Sequence, residues 1–170
     1  MLSENDTVSA GVGALASLAC QELFEAYGVT LESTDTSFDE SGGSVMSGVM
    51  GFLGTRLRGT CLLASTPGPL DASCPAGDRT RDWIGELTNQ LVGRLKTKLM
   101  ARGIEVFLTT PIVLTGARIR PIPRGILQPS VFSWSGGNVL VWVEAESGRD
   151  LILSLDAPME TASEGEILLF

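Results

Sequence analysis

The chain has 170 residues, 44% of them hydrophobic and 19% charged, which fits one domain with its own core and excludes disorder over most of its length. It contains no histidine (His 0), which excludes Ser-His-Asp and Cys-His catalysis, imidazole general bases and histidine metal ligands. The formal charge of −8 argues against nucleic-acid binding, which needs a dense basic stripe. The apolar runs are broken by Gly and polar residues, so no membrane span is expected. A single domain over 1–170 is predicted, with 1–7 as a flexible N-terminus. Cys20, Cys61 and Cys74 are widely spaced and form no CxxC, which predicts a reducing, cytoplasmic setting and cysteines that pack rather than react. The small-residue run Val8 to Cys20 is not expected to be a secretion signal: Glu4 and Asp6 precede it with no Lys or Arg, the wrong charge for one.

In chain order, Val12, Leu15, Leu18, Ala19 and Leu23 recur at helical spacing and predict a helix from about Val8 to Tyr27, closed by Gly28. Val29 to about Ser37 alternates weakly, as a strand does. Ser44 to Leu53 carries apolar residues on both faces, so it belongs inside a sheet. With Gly59 to Ser65 it makes a hairpin around Gly54 to Arg58. Thr66 to Gly77 reads as a loop from its prolines and glycines. Thr80 to Arg102 is the clearest helix, with Asp78 or Thr80 as N-cap and Gly103 at its end. Ile104 to Leu114 returns to strand character, but Pro111 cannot donate a ladder hydrogen bond, so that strand lies at an edge or bends there. Pro121, Pro123 and Pro129 mark a connection. Val131–Trp134 and Val139–Ala145 flank a turn at Ser135–Asn138 and form a second hairpin. Leu151 to Leu155 is read as a further strand, and the apolar tail Ile167 to Phe170 is expected to pair or dock. The expected fold class is α+β, two long helices layered on a largely antiparallel sheet of about six strands.

On the helix from Thr80, Trp83, Ile84, Leu87, Leu91, Leu95 and Leu99 fall in one arc, the core face. Opposite stand Asp82, Glu86, Asn89, Gly93 and Lys96. Asp82, Glu86 and Asn89, at i, i+4 and i+7, form one polar stripe over two turns. Gly85 and Gly93 flank it, each costing about 1 kcal/mol against Ala in a helix interior. Close approach of another backbone, from this fold or from a partner, would account for them. Taken alone, such a stripe is most often a solvated surface.

The stretch Asp82-Trp-Ile-Gly-Glu86-Leu-Thr-Asn89-Gln-Leu-Val-Gly93 resembles the D-x3-E-x2-N motif of the CheC/CheX/FliY chemotaxis phosphatases and their G-E-L-x-N-x-x-x-G form. Pro111-Ile-Val-Leu-Thr-Gly116 looks like the P-x-V-x-x-G strand that follows the motif helix in that family, and the order of elements agrees over roughly residues 8–156. The resemblance implies a CheX-like phosphatase acting on the aspartyl phosphate of a CheY-type receiver domain. It implies Asn89 as the amide that orients the attacking water and Glu86 as the contact to the receiver's active-site lysine. Asp82, Gly85 and Gly93 would support the site or touch the partner. No cofactor is expected on this chain; the Mg²⁺ would sit in the receiver. A homodimer is a further implication, since CheX-like relatives pair through their sheets.

The chemistry agrees with the composition. An acyl phosphate already has a good leaving group, so placing water and stabilising charge can suffice without histidine. An amide carbonyl can hold water without titrating.

Two departures stand out. The first helix offers Ser17, Gln21 and Phe24 where some members carry a second motif, which predicts one site. The Pro/Gly-rich stretch 66–77 stands where the family commonly has another helix. The alternative reading is a non-catalytic module on the same fold that docks a receiver or joins a signalling assembly. Trp83, Trp134 and Trp142 are expected to pack, Lys96 and Lys98 to be solvated, and Arg118, Arg120 and Arg124 to lie in a polar loop. Residues 40–43 read as a turn.

Overall fold

Alternating apolar residues on two consecutive segments build the centre of the sheet. The structure, a computed structural model, describes residues 4–35, 38, 44–117, 119, 121–122, 128–148, 151 and 153. Its elements are α1 (Glu4–Ala26), β1 (Glu32–Thr34), β2 (Ser44–Leu53), β3 (Leu57–Ser65), α2 (Pro67–Ser73), α3 (Thr80–Met100), β4 (Phe107–Leu108), β5 (Ile112–Ala117), β6 (Ser130–Trp134) and β7 (Gly137–Ser147). Strands β2 and β3 form the expected hairpin, in register from Met46↔Ser65 to Leu53↔Arg58. The sheet has 7 strands in the order β1-β6-β7-β3-β2-β4, with β5 also paired to β2. Every described pairing is antiparallel. The α+β class is as expected, with one strand more than anticipated.

That extra strand comes from Pro111. Both β4 and β5 pair with β2, on the side away from β3, and the chain leaves the ladder between them. Pro111 has no N–H to donate. Thr109 bridges the interruption: its N–H donates to the Gly51 carbonyl at 3.0 Å, and its Oγ1 accepts from the Gly51 N–H at 2.9 Å.

Helices α1 and α3 pack on one face of the sheet. Val8, Val12, Leu15, Ala16, Ala19, Cys20, Leu23 and Phe24 of α1 join the core with Ile84, Leu87, Leu91, Leu95 and Leu99 of α3. Each fully buried leucine there contributes about 1.5–3 kcal/mol over leaving it exposed. The Ser9 hydroxyl, the polar break in the α1 stripe, donates to the Ala145 carbonyl at 2.7 Å and accepts from its N–H at 2.9 Å. The opposite face of the sheet carries a smaller apolar cluster of Phe38, Val45, Leu62, Ala64 and Leu140.

Both long helices end in the same way. Gly28 and Gly103 have φ of +78° and +69°, a region that a Cβ disfavours. The next N–H reaches back to a carbonyl five residues earlier, Val29 to Phe24 and Ile104 to Leu99, which satisfies orphan helix carbonyls.

Several boundaries differ from expectation. Helix α1 starts at Glu4, so it takes in residues 4–7 of the segment read as a flexible N-terminus. Among the described residues, Asp6–Ala26 is the one helix long and apolar enough, by length and composition, to cross a membrane. Its apolar stripe nevertheless lies in the core. The stretch read as a loop holds α2, with Pro67 at its first turn, where the missing N–H costs no helical hydrogen bond. The residue preceding α3 is Arg79, and no side chain caps that helix. Thr80 instead uses its hydroxyl on α2, 3.2 Å from Asp71 Oδ1. Leu151 and Leu153 are not in a strand; the rest of 151–155, the tail 167–170 and the turn 40–43 lie outside the described residues.

The thiols sort by burial. Cys20 and Cys61 are buried and Cys74 is half-buried. Burial pushes the Cys61 thiol up to about 12 and the Cys20 thiol well above its usual value. A thiol reagent added to native protein should modify Cys74 first, with Cys20 and Cys61 reacting only on unfolding. Below pH 9 folded and unfolded chains both hold these protons. Above it the unfolded chain loses them while folded Cys61 keeps its own up to about 12. Stability should therefore fall as pH rises through that window. Denaturant titrations at pH 8 and pH 10 check this, with a flatter dependence expected for Cys61→Ala.

Candidate active site

Packing of α3 fixes which of its side chains reach solvent. The arc expected in the core is buried throughout: Trp83, Ile84, Leu87, Leu91, Leu95 and Leu99, joined by Gly85, Thr88 and Val92. Asp82, Glu86 and Asn89 are exposed on the opposite side. The carboxamide of Asn89 and the carboxylate of Asp82 have no hydrogen-bond partner among the described residues. The helix beneath them is anchored on the sheet by its buried face, so these groups project from a rigid element.

Two glycines bring α3 close to the sheet. A Cβ on Gly48 of β2 would lie 1.9 Å from Thr88 Oγ1, and one on Gly85 would lie 3.1 Å from Val113 Cγ2 in β5. Gly85 is thus buried against this protein's own strand and does not belong to the exposed stripe. Its contact with Val113 brings together the Asp82–Gly93 and Pro111–Gly116 segments. Thr88 is tied down as well, donating from Oγ1 to the Ile84 carbonyl at 2.7 Å. Gly93 is different. A Cβ there would meet nothing within 4 Å, and the residue lines an open groove of about 450 Å³ with Glu22, Gln90, Arg94, Thr97 and Lys98.

Glu86 is exposed but not unengaged. Its Oε1 accepts from Gln90 Nε2 at 2.9 Å. The Oε1 of Gln90 accepts from the Tyr27 hydroxyl at 3.0 Å. The Tyr27 ring meets Trp83 edge-on, with centroids 4.9 Å apart at 88°, and the Trp83 indole N–H donates to Ser73 Oγ of α2 at 3.1 Å. Neither Gln90 nor Tyr27 was anticipated. The i,i+4 spacing of Glu86 and Gln90 was visible as a possible side-chain pair; Tyr27, which arrives from the turn after α1, left no local signal.

Lys98 forms an ion pair with Glu22 of α1 at 2.9 Å, with only 12% of its side chain exposed, so it is not a solvated lysine; Lys96 is half-buried. Trp83 is buried, and Trp134 and Trp142 are half-buried in strands. On α1, Phe24 is buried, Ser17 bonds Ser130 at 2.7 Å, and Gln21 donates to the Leu31 carbonyl at 3.3 Å. All three therefore serve this fold. Arg118, Arg120 and Arg124 lie outside the described residues. Among the described residues no group of three or more His, Cys, Asp and Glu could hold a metal ion.

A family model, chemotaxis phosphatase CheX, matches residues 46–122, from β2 through α3 and β5. No curated protein matches the sequence significantly. Among solved structures, the chemotaxis protein CheX of Vibrio vulnificus is similar, with TM-score 0.65 and 23% identity over 78% of this chain and 95% of that one. A CheC-like superfamily protein of Shewanella sp. PV-4 gives TM-score 0.66 and 19% identity over 81% and 98%. CheX in the CheX–CheY–BeF₃–Mg²⁺ complex of Borrelia burgdorferi gives TM-score 0.55 and 16% identity over 85% and 100%. At these identities the structures speak for the fold.

Proposed function

We propose that this chain, which matches the CheX family model over residues 46–122 and shares its fold with CheX and CheC-like structures, is a member of the CheC/CheX/FliY family and hydrolyses the aspartyl phosphate of a CheY-type response regulator through Glu86 and Asn89. The observation that carries this reading is their exposure together on one face of α3, with the Asn89 amide unengaged among the described residues. A site that must enter another protein's pocket needs long polar side chains on a rigid, accessible element. The CheX relative from Borrelia burgdorferi is in complex with CheY, which supports a receiver as the partner here.

Asn89 accepts a hydrogen bond from water at its amide oxygen and aims a lone pair in line with the phosphorus. Glu86 meets the receiver's active-site lysine and fixes the approach of α3. Asp82, one turn ahead of Glu86, lies where it can touch the same partner. The receiver contributes the phosphorylated Asp and its Mg²⁺, which would neutralise charge on the phosphoryl oxygens. On this reading the chain's share is placement, and placement is most of what phosphoryl transfer to water requires. A cytoplasmic location goes with such a partner.

The test is phosphate decay from a phosphorylated receiver with no addition, with wild type, and with Glu86→Ala or Asn89→Ala, each shown to be folded. Faster decay with wild type, lost in both variants, supports the site and the activity together. Binding without acceleration turns the chain into a docking module.

A homodimer belongs to the same reading. Among the described residues β5 pairs only with β2, and Ile112 and Leu114 are exposed on it, an open apolar edge of the kind that recruits another strand. Sedimentation equilibrium should show a dimer that Ile112→Lys weakens; a monomeric wild type would remove this part of the proposal.

A further inference from the structure

We propose that Gln90 and Tyr27 are positioning residues that hold the Glu86 carboxylate in the orientation that receives the partner; the inference rests on the receiver-phosphatase reading of Glu86. Hydrogen-bond chemistry fixes the direction of the relay. A carboxylate can only accept, so Gln90 must turn its NH₂ towards Glu86. That leaves the Gln90 amide oxygen facing Tyr27, whose hydroxyl must then be the donor. The two contacts, 2.9 and 3.0 Å, therefore enforce one another. If the Tyr27 hydroxyl is removed, the Gln90 amide is free to rotate away.

What separates this from an ordinary solvated i,i+4 pair is its far end. Tyr27 is held between two elements. Its backbone lies in the tight turn that closes α1, with Tyr27 N–H on the Phe24 carbonyl at 3.0 Å. Its ring stands against buried Trp83, which is itself tied to Ser73 of α2. An exposed catalytic-face carboxylate is thereby linked through two polar contacts to Tyr27 at the end of α1, and from there through Trp83 to the core and α2. Glu side chains lose substantial rotamer freedom when fixed. A Glu86 that is already restrained loses less of it on meeting the receiver.

Gln90 also lines the groove that contains Gly93 and Arg94, on the α1 side of the stripe. Asn89 is outside this relay. A defect in Gln90 or Tyr27 should therefore appear in association and leave the water-orienting step alone.

The experiment uses the full chain with a CheY-type receiver. Binding is measured with the receiver carrying BeF₃⁻ and Mg²⁺, and turnover with the phosphorylated receiver. Tyr27→Phe keeps the ring on Trp83 and deletes only the donor; Gln90→Met keeps length and deletes both contacts. The expected result is binding weakened about three- to tenfold in each, KM raised in parallel, and kcat within about twofold of wild type. In a Glu86→Ala background neither substitution should weaken binding further, which a merely structural role would not predict. In the free protein, the Gln90 side-chain NH₂ resonances should move towards those of a solvated glutamine in Tyr27→Phe. Unchanged binding in both variants overturns the proposal, as does equal weakening with and without Glu86. If wild type neither binds nor dephosphorylates the receivers tested while the NMR change is present, the relay exists but the phosphatase reading beneath it has failed, and the functional proposal goes with it.

Discussion

Asn89→Ala should lower kcat for receiver dephosphorylation about 100-fold and leave KM within about twofold, since that ratio corresponds to about 3 kcal/mol of barrier. An interaction made only with the reacting water is absent from the ground-state complex of the two proteins. Its loss therefore appears in turnover and not in affinity. The fold should not register the change, because the Asn89 side chain is exposed and engages no described residue; surface substitutions of that kind usually stay within about 0.5 kcal/mol. Glu86→Ala should behave differently. If it contacts the receiver lysine before reaction, its loss raises KM as well as lowering kcat. Asn89→Asp is the sharper control. It keeps size and an acceptor oxygen but places a negative charge beside an anionic phosphoryl group, so it should rescue little. Single-turnover decay at several receiver concentrations separates the two parameters. A KM defect for Asn89→Ala with kcat intact would reassign Asn89 to binding.

The motif helix was legible because its signal is long and redundant. Six apolar positions at helical spacing fixed the orientation of α3, and the solvent side of Asp82, Glu86 and Asn89 followed from geometry alone. Helix α2 was hidden for the opposite reason. Seven residues are too few to show a period, and the composition of Pro67–Ser73 resembles a turn, although a proline in the first helical turn is well tolerated. The division of the Ile104–Leu114 strand into β4 and β5 was half visible. Pro111 announced the break, but only the pairing of both pieces with β2 shows that each remains in the sheet.

The two flanking glycines show where local reading stops. Gly85 and Gly93 look alike in sequence, both on a polar-faced helix and both costly to helix propensity. Three-dimensional packing separates them: one is buried against Val113, while the other opens on a groove. The contact between Tyr27 and Gln90 spans 63 residues, and no periodicity encodes it. What lies across the fold from a functional residue is decided by how the helices cross, which the pattern of one helix does not contain.

Gly48→Ala should destabilise the protein by about 1–3 kcal/mol or more and should also impair the site, although Gly48 lies on β2 and contacts neither Glu86 nor Asn89. Its added Cβ would stand 1.9 Å from Thr88 Oγ1 and 2.7 Å from Thr88 Cβ, far inside van der Waals contact. Thr88 cannot turn aside freely. It is β-branched, fully buried, and its hydroxyl is bonded to the Ile84 carbonyl. The clash must be relieved by lifting α3 from the sheet, which is overpacking of a close-packed interface. Since Thr88 is the neighbour of Asn89, that displacement tilts the water-orienting amide. Misplacement of a reacting group by 1 Å can cost about 100-fold in rate. Thr88→Ala removes the hydroxyl and methyl but leaves Cβ in place, so the double variant Gly48→Ala/Thr88→Ala should recover part, and not all, of the lost stability. Urea titrations of the two single variants and the double give the coupling directly. Additive losses would mean that β2 and α3 are not in close contact at Gly48, and the account of how the sheet sets the height of the site would have to be abandoned.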